Sequence, residues 1–393
     1  MKRITRAALG ASVMAAALFM ASGAFAEEQG DFNATLRGVT IGIPTGAMPP
    51  PGLYGGLETF TGWDSRGTGQ ITPQGGANGG LGATVTGQAI IPSLLWSTGW
   101  NLFGGNVGLV VIQPFYDVLG WDTNCPVPGT TCTGQAPFAL NTGVFNTGGS
   151  GWEQMHNTIF QAIDSWNWKN GWFTSLGIGV QGPDGSTYNG TLNQDYWTIS
   201  PLVGISYIDK NWKASANFLY DIHTASAGHT GFYAGVQQAT AGVLPVAAPN
   251  GCIGFNCPGI GYTSGEQLFI DWSAAYRWGK LEFGPVGYFK LQTTSDSPGS
   301  GYTCATMANK LTGAGPGATY GNMGLACSRD TDIALGGLLG YDFGPAELEV
   351  YFTDSVYTKN DFAGPSIFTR LSFKLSDPSP QPPAAAPMVG KSH

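Results

Sequence analysis

The sequence predicts an all-β fold, a twelve-stranded antiparallel transmembrane β-barrel with long outer loops and short periplasmic turns. Three observations lead to this prediction: a low content of charged residues, an N-terminus typical of exported proteins, and a two-residue alternation of hydrophobicity in twelve stretches. Only 11% of the 393 residues are charged, whereas about 25% is usual for a soluble domain. Because hydrophobic residues make up 42%, something other than a charged, water-facing surface must solvate the chain.

Residues 1–26 have the pattern of a secretory signal peptide, which we leave out of the fold. They combine a basic start, an apolar stretch and Ala24-Phe25-Ala26 before two glutamates. An uncleaved transmembrane helix is the alternative. Without the three basic residues of this segment, 14 basic residues stand against 25 acidic ones, a net charge of −11. That charge argues against a nucleic-acid partner.

The alternation of hydrophobicity is clearest in Asn211 to Ile222, where every even position is apolar and the odd positions carry most of the polar residues. The stretch Gln267 to Trp278 repeats the pattern. Eight later stretches place eleven charged residues on one face and none on the other. A soluble β-sandwich also alternates. A lysine or arginine facing lipid costs roughly 2 to 4 kcal/mol, so the uncharged face favours a membrane barrel.

The connections between the predicted strands alternate in length. Four joins are tight, including Asp209-Lys210 and Gly279-Lys280, and tryptophans cluster beside them, as expected at a membrane interface. The joins between these are long. Short turns on the periplasmic side and long outer loops give an even strand number, so we expect the barrel to span 52–376. Residues 377–393 are rich in proline and alanine and are predicted to be a disordered periplasmic tail.

All six cysteines fall in the long joins, one pair to a join. We therefore predict disulfides within each loop, which join Cys125 with Cys132, Cys252 with Cys257, and Cys304 with Cys327. The alternative is that Cys252 and Cys257 form half of a zinc site, but histidines nearby are lacking and an exported protein meets an oxidising compartment. The sequence predicts no metal and no cofactor.

A hydrolase would need a serine and a histidine in contact, with a third group to orient them. His156 with Ser165 is the pair that the sequence offers, but a solvated His156 at a loop end is the simpler interpretation. His223 and His229 are expected to be solvent-exposed. We therefore predict no catalytic residue and no enzyme activity.

The polar faces of the predicted strands supply the candidates for residues that line the lumen. Across the turn at 279–280, Arg277 should face Glu282, and Arg370 on the last strand can reach Glu58 on the first, where the barrel closes. Charged residues of both signs either stabilise the lumen as ion pairs or line a transport path. In neither case do they select cations over anions or the reverse. The full set is Glu58, Lys213, Asp221, Asp271, Arg277, Glu282, Lys290, Asp332, Glu347, Glu349, Arg370 and Lys374.

Residues 27–51 precede the first strand and end in three prolines. Their Val39 to Ile43 run is apolar enough to fold into the lumen as a plug, similar to the N-terminal hatch of fatty-acid channels. A flexible periplasmic lead is the alternative.

Several strings resemble a known family. They include Pro49-Pro50-Pro51-Gly52-Leu53-Tyr54, the run 193–201 (NQDYWTISP) and Tyr262 to Gln267 ahead of Asp271-Trp272. Gly287-Tyr288-Phe289 and Gly340 to Gly344 extend the likeness over most of the mature chain, with the cysteine-bearing loops as the main departure. The family is named after the meta-pathway of phenol degradation. The resemblance implies an outer-membrane barrel and a transport role, whereas a name taken from neighbouring genes gives no mechanism.

The sequence therefore predicts a channel in the bacterial outer membrane for passive uptake of small apolar or aromatic compounds. Its partners would be outer-membrane lipid and that solute, and a homo-oligomer stays open. A barrel with a structural or surface role is the first alternative, and an outer-membrane hydrolase is the second. Twelve strands should enclose a narrow lumen, because eight are filled by their own side chains and sixteen leave a water channel.

Overall fold

The computed structural model describes residues 34–66, 82–124, 154–185, 196–225, 262–295, 297–298, 329–359 and 361–376. Twelve antiparallel strands close into a single barrel, as the alternation predicts. The last strand pairs with the first, with Glu58 opposite Arg370. Among the described residues, no helix is long and apolar enough to cross a membrane.

The strands, in chain order, are β1 Gly52–Arg66, β2 Gly82–Leu102, β3 in two segments Gly105–Ile112 and Phe115–Asn124, β4 Ile159–Lys169, β5 Trp172–Gln181, β6 Thr198–Ile208, β7 Trp212–His223, β8 Gln267–Trp278, β9 Leu281–Gln292, β10 Thr331–Asp342, β11 Ala346–Lys359 and β12 Ser366–Ser376. Each strand pairs with the next along the chain. Pro114, which has no N–H to donate, divides β3, and both of its segments pair with β2.

The alternation seen in the sequence separates the two faces of the wall. Along β7 every odd position from Lys213 to His223 is buried, and the even positions are half-buried or exposed. Exposed large apolar side chains such as Leu339 and Phe352 lie on the outer face of β10 and β11. The uncharged face of these strands therefore points outwards, towards the lipid.

Tight turns join the strands at one end of the barrel, which we call the turn end. At Asn170-Gly171 both residues have positive φ, the conformation of a type I′ hairpin turn. A side chain at Gly171 would come within 2.7 Å of the Ile208 carbonyl oxygen. In the next turn, Asp209 Oδ1 accepts the N–H groups of Asn211 and Trp212, both at 2.7 Å. The backbone N–H of Asn211, followed by the Tyr207 hydroxyl, lowers the pKa of the Asp209 carboxyl.

Tryptophans mark the turn end on the outside of the barrel. Trp168, Trp172, Trp212 and Trp278 are all exposed there, and Trp278 has 71% of its surface accessible. Amphipathic indole rings at this level are typical of a membrane interface. We call the opposite end, where the strands lead to the long joins, the loop end.

Candidate functional site: the barrel lumen

The predicted lumen residues occupy three kinds of environment. Nine of the twelve are buried: Glu58, Lys213, Asp221, Asp271, Glu282, Lys290, Asp332, Glu349 and Arg370. Arg277 and Glu347 are half-buried. Lys374 is exposed at the turn end of β12. The buried charges are paired or hydrogen-bonded inside the barrel, as the cost of burying a charge requires.

Arg370 is the centre of one network. Its guanidinium lies 2.7 Å from Glu58 Oε2 and 3.2 Å from Glu349 Oε2. It also donates to the carbonyl oxygens of Val39, at 2.6 Å, and Ile41. The Tyr351 hydroxyl lies 2.8 Å from Glu58 Oε1, and the Tyr351 ring lies 5.3 Å from the guanidinium carbon. Arg370 therefore ties the seam of the barrel to a segment that is not part of the wall.

Lys213 holds a second network near the turn end. Its Nζ lies 2.9 Å from Glu282, 3.0 Å from Glu347 and 2.7 Å from Glu349. Because Lys213 is on β7 and Glu349 on β11, this contact crosses the interior of the barrel. Glu349 uses one oxygen for Lys213 and the other for Arg370, so the two networks are joined. The expected Arg277 and Glu282 pair is present at 2.9 Å.

The three glutamates around Lys213 are also the group whose carboxylate oxygens come close enough together to hold a metal ion, within 4.8 Å of one another. The Lys213 ammonium lies among these oxygens and supplies the positive charge. The arrangement suits a structural ion cluster in the wall.

A third network lies at the loop end. Arg37 contacts Asp332 at 2.8 Å, and the Tyr288 hydroxyl donates to the same Asp332 oxygen at 2.6 Å. Lys290 lies 2.5 Å from Asp330 and 2.9 Å from Asp361. Arg37 precedes the first strand, so this network again joins the wall to the N-terminal part of the chain.

Residues 34–51, which we call the N-terminal segment, run through the barrel from one end to the other. Pro51 precedes β1 at the turn end, whereas Arg37 lies beside Asp332 at the loop end of β10. Successive turns shorten the path, with hydrogen bonds from Val39 N to Leu36 O and from Ile41 N to Gly38 O. Gly38 and Gly42 take positive φ, of 78° and 79°, in these turns.

The part of the N-terminal segment nearer the turn end is held by uncharged groups. Gly46 N donates to Ser206 Oγ at 3.0 Å, and Ser165 Oγ donates to Gly46 O at 2.6 Å. Met48 N donates to Ser165 Oγ at 3.1 Å. Asn217 Nδ2 donates to the carbonyl oxygens of Thr40 and Ile43, at 2.8 and 3.1 Å, and its Oδ1 contacts the Thr45 hydroxyl.

Two buried carboxylates face this segment and neighbouring strands. Asp271 Oδ2 accepts the N–H of Thr40 at 2.9 Å and its hydroxyl at 2.7 Å. Asp221 Oδ1 accepts the Ser200 hydroxyl at 2.5 Å. Neither carboxylate takes part in an ion pair with another described residue.

Apolar side chains fill the rest of the interior. The larger buried cluster joins Ile41 of the N-terminal segment to wall residues of β1 to β3 and β8 to β12: Phe60, Ala89, Ile91, Tyr116, Ala275, Val286, Tyr288, Ala334, Leu338, Tyr351 and Phe368. Leu36 and Val39 pack against it. A smaller cluster of Ile163, Leu202, Leu219 and Phe269 packs against Met48. The interior is thus an apolar core crossed by ion pairs.

The histidine predictions are wrong where the structure describes them. His156 and His223 are each 1% exposed rather than solvated, and their rings stack edge-on against Tyr116 and Tyr196. His223 continues the inward phase of β7, and that continuation explains its burial. His229 lies outside the described residues, as do all six cysteines, the signal sequence and the tail at 377–393.

The serine and histidine pair suggested for hydrolysis is not assembled. Ser165 lies near the turn end and bonds the N-terminal segment, whereas His156 lies before the start of β4 and contacts Gln181 at 3.2 Å. They are nine residues apart along an extended chain, which corresponds to roughly 30 Å.

Sequence reasoning missed several residues of this interior. Arg37, Asp330 and Asp361 lie outside the alternating stretches, so no phase indicated which way they point. Ser165, Ser206 and Asn217 share the inward phase of their strands, and that phase is the signal that could have identified them.

The fold has relatives among solved structures. An outer membrane channel from Pseudomonas putida F1 superposes with a TM-score of 0.52, covering 85% of this chain and 98% of that one at 9% identity. The protein is a closed β-barrel of the class found in bacterial outer membranes. The chain belongs to the family described as "Putative MetA-pathway of phenol degradation", whose model matches residues 68–324.

Two further solved structures match with lower TM-scores. The translocator domain of the autotransporter NalP from Neisseria meningitidis has a TM-score of 0.36 at 9% identity, covering 83% of this chain and 90% of its own. The toluene transporter TodX of Pseudomonas putida has a TM-score of 0.32 at 9% identity, covering 88% and 95%. A search of curated proteins found no match.

Proposed function

We propose that the protein is a channel for passive uptake of small apolar or aromatic compounds, with residues 34–51 as a removable plug in its lumen. The observation that carries the proposal is that the strand ladder closes without these residues, while they fill the interior from end to end. A segment that adds nothing to the wall can leave it intact when it moves.

The contacts of the segment favour displacement over permanent packing. Its backbone is bound by side chains of the wall and forms no ladder with any strand that the structure describes. Side-chain hydrogen bonds of this kind contribute about 0.5 to 1.5 kcal/mol each, and water can replace them. The apolar interior cluster supports an apolar solute over an ion, because moving an ion past it would cost far more than moving a hydrocarbon.

A crosslink that ties the segment to the wall tests this proposal in the full chain. Thr45 and Asn217 touch through their side chains, so Thr45→Cys with Asn217→Cys should form a disulfide under oxidation. The purified protein is placed in liposomes and the entry of toluene and phenol is measured before and after oxidation.

We expect oxidation to stop entry in the double variant and to leave either single variant unchanged. Entry that continues through the crosslinked protein would contradict the plug. No entry through the wild-type protein would contradict the channel and favour a structural barrel.

A further inference from the structure

Ile41 projects from a turn of the N-terminal segment into an apolar pocket of the wall. Gly38 and Gly42, one on each side of this turn, have positive φ. A Cβ at Gly38 would lie 3.2 Å from the Tyr288 ring and 3.3 Å from Ile41 Cδ1. A Cβ at Gly42 would lie 3.0 Å from Leu338 Cδ1. The backbone thus passes close to the wall, and Ile41 is fully buried.

We define the Ile41 pocket as Tyr288 and Leu338, which lie beside the turn, together with Ala275, Val286 and Ala334, which belong to the same buried cluster as Ile41. They lie on three consecutive strands, β8 to β10. In the register of these strands Val286 lies opposite Gly336, and Leu338 opposite Gly284. The glycines let the strand backbones approach closely, because a Cβ at Gly284 would clash with the Ala274 carbonyl oxygen. Ile41 belongs to the apolar cluster that the larger residues form.

The five pocket side chains offer no free hydrogen-bonding group. Only Tyr288 among them carries a polar atom, and its hydroxyl donates to Asp332 at 2.6 Å. The Glu349 carboxylate also lies beside the turn, 3.0 Å from a Cβ placed at Gly42, and is paired with Lys213 and Arg370. The other four side chains are hydrocarbon. A molecule that enters this pocket gains by burying apolar surface, whereas a hydroxyl or amine that it carries loses its bonds to water without replacement.

The pocket is occupied only while the segment lies in the lumen. Ile41 is anchored through its carbonyl oxygen, which accepts from Arg370, and through the bonds of its neighbour Thr40 to Asp271. Once the segment leaves, the apolar side chains of the pocket face the lumen, and an apolar occupant is favoured over water.

Resting on the proposed function, we propose that the Ile41 pocket is the binding site for a small hydrocarbon solute, in the size class of a single aromatic ring, and that Ile41 takes the place of this solute in the resting channel. The chemistry of the pocket determines the class of substrate. A compound without hydrogen-bonding groups, such as benzene, binds better than one of similar size with a hydroxyl, such as phenol.

Removing the Ile41 side chain tests the site without any transport measurement. Ile41→Ala in the full chain should leave an apolar cavity, and cavities of this kind stay dry and bind benzene. We expect benzene to raise the thermal unfolding midpoint of Ile41→Ala in detergent by about 2 to 5 °C. Phenol at the same concentration should give less than half that shift.

Ile43→Ala is the matched control, because it makes the same change two residues away, at a side chain outside the buried cluster. It and the wild-type protein should show no benzene shift beyond that of the detergent itself. An equal benzene shift in all three proteins, no shift in Ile41→Ala, or a phenol shift as large as that of benzene would each overturn the proposal.

The Val286→Thr variant provides a second test of the site if Ile41→Ala does not fold. It keeps the volume of the side chain but places a hydroxyl in the pocket. We expect the ratio of benzene to phenol entry into liposomes to fall by several fold, and an unchanged ratio would overturn the proposal.

The two proposals fail in different ways. Benzene binding to Ile41→Ala, with no solute entry through the wild-type protein, would retain the site and reject the channel. Solute entry without benzene binding would retain the channel and reject the site.

Discussion

The two halves of the N-terminal segment are held by different chemistry. Residues 37–41, towards the loop end, are bound by charged groups: Arg37 pairs with Asp332, and Arg370 donates to two backbone carbonyls. Residues 45–48, towards the turn end, are bound by Ser165, Ser206 and Asn217, which carry no charge. The wall residues that bind residues 37–41 are charged, whereas those that bind residues 45–48 are polar and uncharged.

This difference bears on how the segment can move. Breaking a buried ion pair leaves an uncompensated charge and costs about 3 to 5 kcal/mol, whereas a neutral hydrogen bond contributes about 1 kcal/mol. The half near the turn end is therefore the easier one to release. We expect opening to begin there, and the charged half, which includes Ile41, to leave the lumen last.

The largest effect should come from Arg370→Ala, which removes a charged side chain that binds the half of the segment nearer the loop end. It leaves Glu58 and Glu349 without their guanidinium and frees two carbonyls of the segment. We expect the free energy of unfolding, measured by urea titration in detergent, to fall by about 3 to 5 kcal/mol, and conductance to rise. Lys374→Ala, at an exposed position on the same strand, should change stability by no more than about 0.5 kcal/mol. Equal losses in the two variants would remove the distinction between buried and exposed charge.

The Lys213→Met variant distinguishes the ion pairs among wall residues from the charged groups that bind the N-terminal segment. Lys213 contacts Glu282, Glu347 and Glu349, all of them on wall strands. We expect a loss of about 3 kcal/mol in the free energy of unfolding with conductance unchanged. Millimolar Ca²⁺ should restore part of the stability, because the three carboxylates left behind suit a hard divalent cation. A rise in conductance would show that the wall networks also hold the segment.

Asn217→Ala tests the point where the two halves meet. Its amide bonds Thr40 and Ile43, and its oxygen contacts Thr45. We expect a stability loss of about 1 to 2 kcal/mol and a clear rise in conductance. Ser215→Ala, two residues away on β7, removes a bond to Ser273 within the wall and should leave conductance unchanged. Matching conductance in the two variants would mean that Asn217 does not restrain the segment.

The sequence predicted the wall better than its contents, for a physical reason. A strand that separates lipid from an interior repeats its chemistry every second residue, so Trp212 to Ile222 could be placed and phased from the sequence alone. The pairing of Glu58 with Arg370 followed from closing the barrel. Arg37 and Asp361 lie in parts of the chain without a repeat, so nothing local indicated that they share a network with Asp332 and Lys290.

The smallest effect should come from Ser165→Ala, which loosens the neutral half alone. Ser165 Oγ donates to Gly46 O at 2.6 Å and accepts from Met48 N at 3.1 Å, so the variant loses two bonds to the segment and none to the strand ladder. We expect about 1 kcal/mol of lost stability and more frequent opening in single-channel recordings, by a few fold. Ser206→Ala loses one bond, that from Gly46 N, and should give the smaller increase of the two. If opening frequency stays at the wild-type value in both while Arg370→Ala raises it, release begins at the charged half, and the order of movement inferred from bond strength is reversed.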